Sequence, residues 1–170
     1  MKRRTALKGT FLSLLAASTP VLARPEWSVM DASITSTDAA IQLYGFLNGV
    51  SPADRASLVG VFPELLPLLG APRLDVGYGE ASGESRATQA AETALRHPLL
   101  SSLDPASIQG IHIAIKSRLP GTRMGEISAA VKAIRRHVPN GAEITFCTVS
   151  DAAMGDRLQV SILAASQVAS

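Results

Sequence analysis

Residues 73–87 of this 170-residue chain read RLDVGYGEASGESRA, which combines a strand, a turn and the start of a helix. Leu74, Val76 and Tyr78 alternate with polar or small residues, a pattern that predicts a strand with one buried face. The glycine-rich segment 77–83 then predicts a turn. From Ala87 onward, small apolar residues recur at helical spacing until Pro98. This spacing predicts a helix whose small face approaches the sheet closely.

The following residues repeat this alternation of strands and helices. Alternating isoleucines at 111–115 predict a second strand, and apolar residues spaced over 127–138 predict a second amphipathic helix. Residues 142–149 predict a third strand that is apolar on both faces and therefore central. A turn at 151–156 leads to a fourth strand.

The order of these elements, β-α-β-α-β-β, predicts the fold class. Right-handed crossovers place consecutive helices on one face of a sheet. We therefore predict an α/β fold: a two-layer sandwich in which a four-stranded mixed sheet carries two helices on one face. The sheet is expected to be mixed because a turn joins the last two strands. Its opposite face is expected to meet water, the upstream helices or a partner.

Residues 36–72 form a predicted helical lead-in to this α/β domain, which spans residues 73–166. Ser36 or Thr37 is expected to cap a helix over residues 38–48. The sequence SPAD at 51–54 predicts a second short helix, with a serine cap and proline at the first helical position. The proline-punctuated segment 62–69 predicts short helical turns that end at Gly70. Residues 24–35 are predicted to be a linker, and residues 167–170 a tail.

The N-terminal residues 1–23 have the pattern of an export signal. A charged start is followed by a short apolar stretch and by small residues ahead of Arg24, which is typical of a cleaved signal peptide. The pair Arg3 and Arg4, followed by Leu7 and Lys8, resembles a twin-arginine signal. We expect cleavage after Ala23 and an exported or periplasmic location, with no stable membrane span afterwards. The alternatives are an uncleaved anchoring helix or a piece of the core.

The charge of the chain argues against nucleic-acid binding. Four of the 16 basic residues precede residue 24, so the remaining chain carries 12 basic and 14 acidic side chains, a net charge of −2. A nucleic-acid binder is expected to carry a basic surplus in its folded part. The chain has one cysteine, Cys147, which excludes an intramolecular disulfide and is interpreted as a packed, inert thiol.

The sequence offers no constellation typical of an enzyme. The glycines of the turn at 77–83 have the wrong spacing for a dinucleotide fingerprint and are interpreted as conformational. His97, His112 and His137 are scattered, and each is interpreted as a surface or capping residue rather than a metal ligand. We expect no cofactor, no metal ion and no catalytic residue. The basic residues between 116 and 136 are interpreted as a solvated or partner-facing surface.

The turn and helix start at 77–87 resemble the C-terminal domain of FtsZ, the bacterial tubulin-like cell-division GTPase. The matching positions in this turn and helix start are Gly77, Gly79, Gly83, Glu84 and Arg86. The segments 90–100, 110–138 and 151–165 continue the resemblance in order, so that it covers about residues 73–166. It implies a four-stranded sheet with two helices on one side, and it also implies a cytoplasmic location, against the export signal.

The departures from this family shape the functional hypothesis. In the family, GTP sits in a separate N-terminal domain with a glycine-rich loop, and no such loop occurs in this sequence. Asp54 lies in the direction of the family's acidic catalytic loop, but the acidic pattern is absent and no catalytic role is carried onto it. We therefore expect a non-catalytic module acting through protein–protein contacts, with an FtsZ-type filament or with its own copies. The alternative is an exported envelope binding module with no role in cell division.

Overall fold

The structure is a computed structural model that describes residues 37–50, 54–118 and 120–167. Its helices are α1 (Thr37–Leu47), α2 (Arg55–Val61), α3 (Arg86–Leu95), α4 (Pro98–Ser101) and α5 (Met124–Arg135). Its strands are β1 (Arg73–Ala81), β2 (Ile108–Ser117), β3 (Glu143–Ser150) and β4 (Leu158–Ser166). The predicted signal and linker lie outside the described residues.

The strands form one four-stranded mixed sheet in the order β1-β4-β2-β3. β4 pairs antiparallel with both β1 and β2, whereas β2 and β3 are parallel. The parallel pair is joined through α5, as a crossover connection requires. The predicted fold class is therefore confirmed.

The predicted position of the third strand is wrong. β3 lies at an edge of the sheet, and each of its residues is either exposed or half-buried. β4 takes the central place, and all nine of its residues are buried. The segment 151–157 does not close a hairpin between β3 and β4, because β4 lies on the far side of β2. Apolar residues on both faces of β3 suggested burial, but β4, which is mostly apolar and buries Gln159, Ser161 and Ser166 as well, occupies the centre of the sheet.

Helices α3 and α5 cover one face of the sheet. Four alanines of α3 are buried against the sheet's isoleucines and valines: Ala87, Ala90, Ala91 and Ala94. Gly77 and Gly79 of β1 lie beneath this helix, and neither has a positive φ. Their role is therefore close approach of helix to strand, which corrects the interpretation that they serve the conformation of a turn. Of the turn glycines, Gly83 alone needs a left-handed backbone, with φ of +89°.

The opposite face of the sheet is covered by the lead-in helices. Of the three predicted alternatives for this face, which were water, the upstream helices and a partner, the structure shows the upstream helices. α1, α2 and the segment 62–69 bury their apolar residues against β1, β2 and β4. The carboxyl end of α1 is held by two donors from the sheet: Lys116 Nζ lies 2.6 Å from the Leu47 carbonyl oxygen, and Gln159 Nε2 lies 3.2 Å from it. A cation at this end of a helix also complements the helix dipole.

Helix α2 begins later than predicted. Its N-cap is Asp54, whose carboxylate accepts a hydrogen bond from the backbone N–H of Ser57 at 2.7 Å, and the helix starts at Arg55. A serine cap was expected at Ser51, which lies outside the described residues. Aspartate is as good an N-cap as serine, so the carboxylate fixes the start of this helix.

Candidate functional site

The loops that follow the strands gather at one end of the sheet. Because β4 runs antiparallel to β1 and β2, the carboxyl ends of β1, β2 and β3 meet the amino end of β4. Residues 82–85, 120–123 and 151–157 therefore lie together, and we call them the charged end. Loops held on a rigid scaffold commonly carry binding function.

Arg86 connects the parts of the charged end. Its guanidinium forms a two-bond ion pair with Glu126 of α5, with Nε–Oε1 and Nη2–Oε2 distances of 2.6 and 3.2 Å. It also donates to the backbone oxygens of Asp156 and Gly121, at 2.6 and 3.0 Å. One side chain thus ties the start of α3 to the loop before α5 and to the loop before β4.

The Arg86–Glu126 pair is well protected from solvent, since each side chain is 17% exposed. The hydrogen bonds from Arg86 hold the pKa of the Glu126 carboxyl below its usual value. Glu126 also accepts a hydrogen bond from the backbone N–H of Arg123 at 3.0 Å, which caps the start of α5. Arg86 is therefore a positioning residue for the charged end.

Further ion pairs hold the segment 151–157 against the sheet. Arg157 Nη1 lies 2.7 Å from Glu80 Oε1 of β1, and its other nitrogens donate to the backbone oxygens of Ala153 and Met154. Lys116 Nζ lies 3.9 Å from Asp151 Oδ2. Burial lowers the pKa of Lys116, and the neighbouring Asp151 partly opposes this shift. These contacts fix the geometry of the loop surface.

The five matching positions of the predicted turn and helix start divide by role. Gly77 and Gly79 allow α3 to approach β1 closely, and Gly83 takes the left-handed backbone conformation in the turn. Arg86 holds the loops of the charged end together through its hydrogen bonds. Glu84 is exposed in the turn itself. The predicted signal residues, Arg3, Arg4, Leu7, Lys8 and Ala23, lie outside the described residues. Within residues 37–50, 54–118 and 120–167, no helix has the length and apolar character needed to cross a bilayer.

Metal-ligating side chains do not cluster in the described part of the chain, and Asp54 has a structural role. No group of three or more His, Cys, Asp or Glu side chains there is placed to hold a metal ion. Asp54 is occupied as the cap of α2, and this hydrogen bond lowers its pKa. Burial raises the pKa of the Cys147 thiol to about 12, which agrees with its interpretation as an inert thiol.

His112 departs from the sequence interpretation, because it is fully buried rather than at the surface. Its Nδ1 lies 2.8 Å from Thr145 Oγ1, and its ring is flanked by those of Tyr44 and Phe62 at centroid distances of 6.1 and 6.0 Å. No hydrogen-bond partner for Nε2 is found among the described residues. The sequence did contain a signal for this burial. His112 lies between isoleucines on β2, and in a central strand the residues between those of one buried face are themselves buried on the opposite face.

The comparisons with known proteins agree with this architecture. A family model described as "FtsZ family, C-terminal domain" matches residues 74–167. The cell division protein FtsZ of Wolbachia sp is 42% identical over 89 residues, which is 52% of this chain and 22% of that protein. FtsZ of Bartonella bacilliformis is 35% identical over 92 residues, 54% of this chain and 15% of that protein. The chain thus spans less than a quarter of the length of these two relatives.

Solved structures show the same fold. An empty FtsZ dimer of M. jannaschii matches with a TM-score of 0.56 and 21% sequence identity, over 62% of this chain and 30% of that chain. CetZ from Methanosaeta thermophila matches with a TM-score of 0.51 and 16% identity, over 76% of this chain and 36% of that chain. The family model covers more than half of the sequence, and the chain belongs to the FtsZ family through its C-terminal domain.

Proposed function

We propose that this chain is a non-catalytic module of the FtsZ C-terminal type that acts through protein–protein contacts made by its charged end. The partner is the end of an FtsZ-type filament or another copy of the chain. The observation that carries the proposal is the fixed geometry of the charged end, in which one arginine bonds three separate segments. A preorganised surface loses little conformational entropy when a partner binds.

An exposed apolar side chain beside the charged end also supports placing the partner contact there. Met124 opens α5 directly beside the loop 120–123 and is 77% exposed, and it follows the exposed Arg123. Methionine and arginine are both enriched in protein–protein interfaces. The face of the sheet opposite α3 and α5 is less suited to this role, because α1 and α2 already bury it. We therefore place the partner contact at the charged end together with the adjoining Met124.

The proposal includes no GTP hydrolysis by this chain. The part of the sequence that matches the family is its C-terminal domain, and Asp54, the acid considered for a catalytic role, caps α2. We expect the isolated chain to show no tight, magnesium-dependent binding of guanine nucleotides. A measured stoichiometric uptake of GTP would contradict the non-catalytic assignment.

The contact with a filament is tested by pelleting an FtsZ-type GTPase with the purified chain. At several-fold excess we expect the chain to change the polymer mass or the GTP turnover. Met124→Asp places a charge at the proposed contact and is expected to weaken this effect about tenfold. Leu66→Asp is the matched control, since Leu66 is 64% exposed but lies in the lead-in segment.

Two outcomes count against this proposal. Unchanged polymer mass and turnover with the unaltered chain contradict the filament contact. An equal loss in Leu66→Asp contradicts the placement of the contact at the charged end. Both variants change an exposed side chain, so each is expected to keep the stability of the unaltered protein, which thermal unfolding checks.

The compartment decides whether a filament is reachable. The export signal at 1–23 remains a prediction from sequence, and contact with a cytoplasmic filament requires that the chain stay in the cytoplasm. A fusion of residues 1–30 to a reporter that is active in one compartment only measures this directly. Cytoplasmic activity supports the filament proposal. Export contradicts it and leaves the alternative of an envelope binding module.

A further inference from the structure

The outer edge of β3 is the surface from which we draw a further inference. Among the described strands, β3 pairs with β2 alone. Its register runs without interruption from Gly110↔Glu143 to Ser117↔Ser150, so no bulge bends the strand away. An edge strand presents a row of backbone N–H and C=O groups that can pair with another strand.

The side chains of β3 do not protect this edge. After Glu143, the strand reads ITFCTVS, with no charge and no proline. β-branched and aromatic residues of this kind favour strand pairing. Natural edge strands are usually blocked by lysine, proline or a bulge, and β3 has none of these. At the middle of the strand, Phe146 is 47% exposed.

We propose that β3 pairs antiparallel with β3 of a second copy, so that two sheets join into one. The two-fold axis passes through Phe146, which lies opposite the same residue of the second copy. A two-fold axis perpendicular to the sheet keeps each side chain on its own face of the sheet. Even-numbered residues of β3 therefore lie opposite even-numbered residues of the second copy, and odd-numbered residues lie opposite odd-numbered ones. Ile144 then lies opposite Thr148, and Glu143 lies opposite Val149.

Charge and apolar area favour a second copy as the occupant. In this register the one carboxylate of the strand faces a valine, so self-pairing sets no like charges opposite each other. The two half-exposed Phe146 rings form an aromatic cross-strand pair, which contributes beyond the area it buries. A register centred on Cys147 would instead pair two thiols on the half-buried face and leave each Phe146 ring opposite a threonine.

The expected dimer is weak and depends on concentration. Pairing of residues 143–149 with themselves gives a contact smaller than the roughly 1,600 Å² of a standard interface. The inference goes beyond the proposed function, because the contact uses the edge of the sheet and not the charged end. Its test contains no filament protein, so its failure is distinct from failure of the filament contact.

Sedimentation of the full chain over a roughly hundredfold concentration range tests the dimer. We expect a monomer–dimer equilibrium that Phe146→Lys weakens at least tenfold, because two ammonium groups then face each other. Phe46→Lys is the matched control: Phe46 is 48% exposed but lies on α1, so this variant is expected to dimerise like the unaltered chain. A monomer at every concentration, or an unaffected dimer in Phe146→Lys, overturns the proposal.

Disulfide capture tests the register independently. With the single cysteine removed by Cys147→Ser, Phe146→Cys is expected to give a covalent dimer under mild oxidation. Thr148→Cys in the same background is the control, since this exposed position faces Ile144 of the second copy and is expected to link poorly. Preferential capture through position 148 overturns the proposed register.

Discussion

Replacing Gly79 with alanine is expected to lower the free energy of unfolding by about 3 kcal/mol. A Cβ at this position would lie 2.3 Å from the Ala90 carbonyl oxygen and 2.6 Å from the Ala94 backbone nitrogen. Both atoms belong to the backbone of α3, so no side-chain rotation relieves the overlap. The helix must move away from β1, which loosens the alanine face that α3 buries against the sheet.

Gly125→Ala is the matched control for this prediction. Gly125 lies in the first turn of α5, and a Cβ there meets no atom within 4 Å. Alanine is the better helix former by up to about 1 kcal/mol, so this variant is expected to be neutral or stabilising. Urea denaturation of the two variants measures both effects. A loss in Gly79→Ala no larger than that in Gly125→Ala would contradict the close-approach role of Gly79.

The fold could be predicted because apolar residues recur at every second position in the strands and at every third or fourth position in the helices. Alternation at 73–78 and 111–115 and helical spacing from residues 87 and 127 fixed the order of elements, and the structure confirms that order. The strand order could not be predicted in the same way. Local pattern shows that β3 and β4 both carry many apolar residues, but it does not show that β4 pairs with β1 on one side and with β2 on the other, which makes β4 central.

The contacts within the candidate site could be predicted from the sequence less well than the fold could. Arg86 was singled out by family resemblance, but its partners are 35 to 70 residues away in sequence and no local pattern links them. The burial of His112 is similarly long-range, because the aromatic rings that cover it come from the lead-in helical region. Interactions set by tertiary contact leave little trace in periodicity or spacing.

His112 is expected to make the protein less stable below neutral pH. Burial lowers the pKa of its imidazole from 6.5 to about 4, while the Glu64 carboxylate partly opposes the shift. The unfolded chain therefore binds a proton at this residue near pH 6.5, and the folded chain binds it only near pH 4. The stability that this group contributes is complete above pH 6.5 and is lost as the pH falls toward 4.

The expected size of this effect follows from the shift. Each pKa unit corresponds to about 1.4 kcal/mol, so the free energy of unfolding is expected to fall by about 3 kcal/mol across this range. Proton uptake places a charge at the buried interface between the sheet and α1, where the rings of Tyr44 and Phe62 flank the imidazole. Acid should therefore loosen the lead-in helices before the α3 and α5 face.

Urea denaturation at pH 7 and pH 4.5 measures the His112 contribution as a difference between variants. In His112→Gln the titrating group is absent, so the fall in stability with pH is expected to shrink by about 2 to 3 kcal/mol. Tyr44→Phe is the control: it removes the buried Tyr44 hydroxyl, which has no hydrogen-bond partner among the described residues, and leaves His112 in place, so it should keep the full pH dependence. Carboxylates elsewhere titrate equally in all three proteins and cancel in the comparison. A pH dependence in His112→Gln equal to that of the unaltered chain would mean that the folded protein already accommodates the proton, and thus that the interface over His112 opens readily to water.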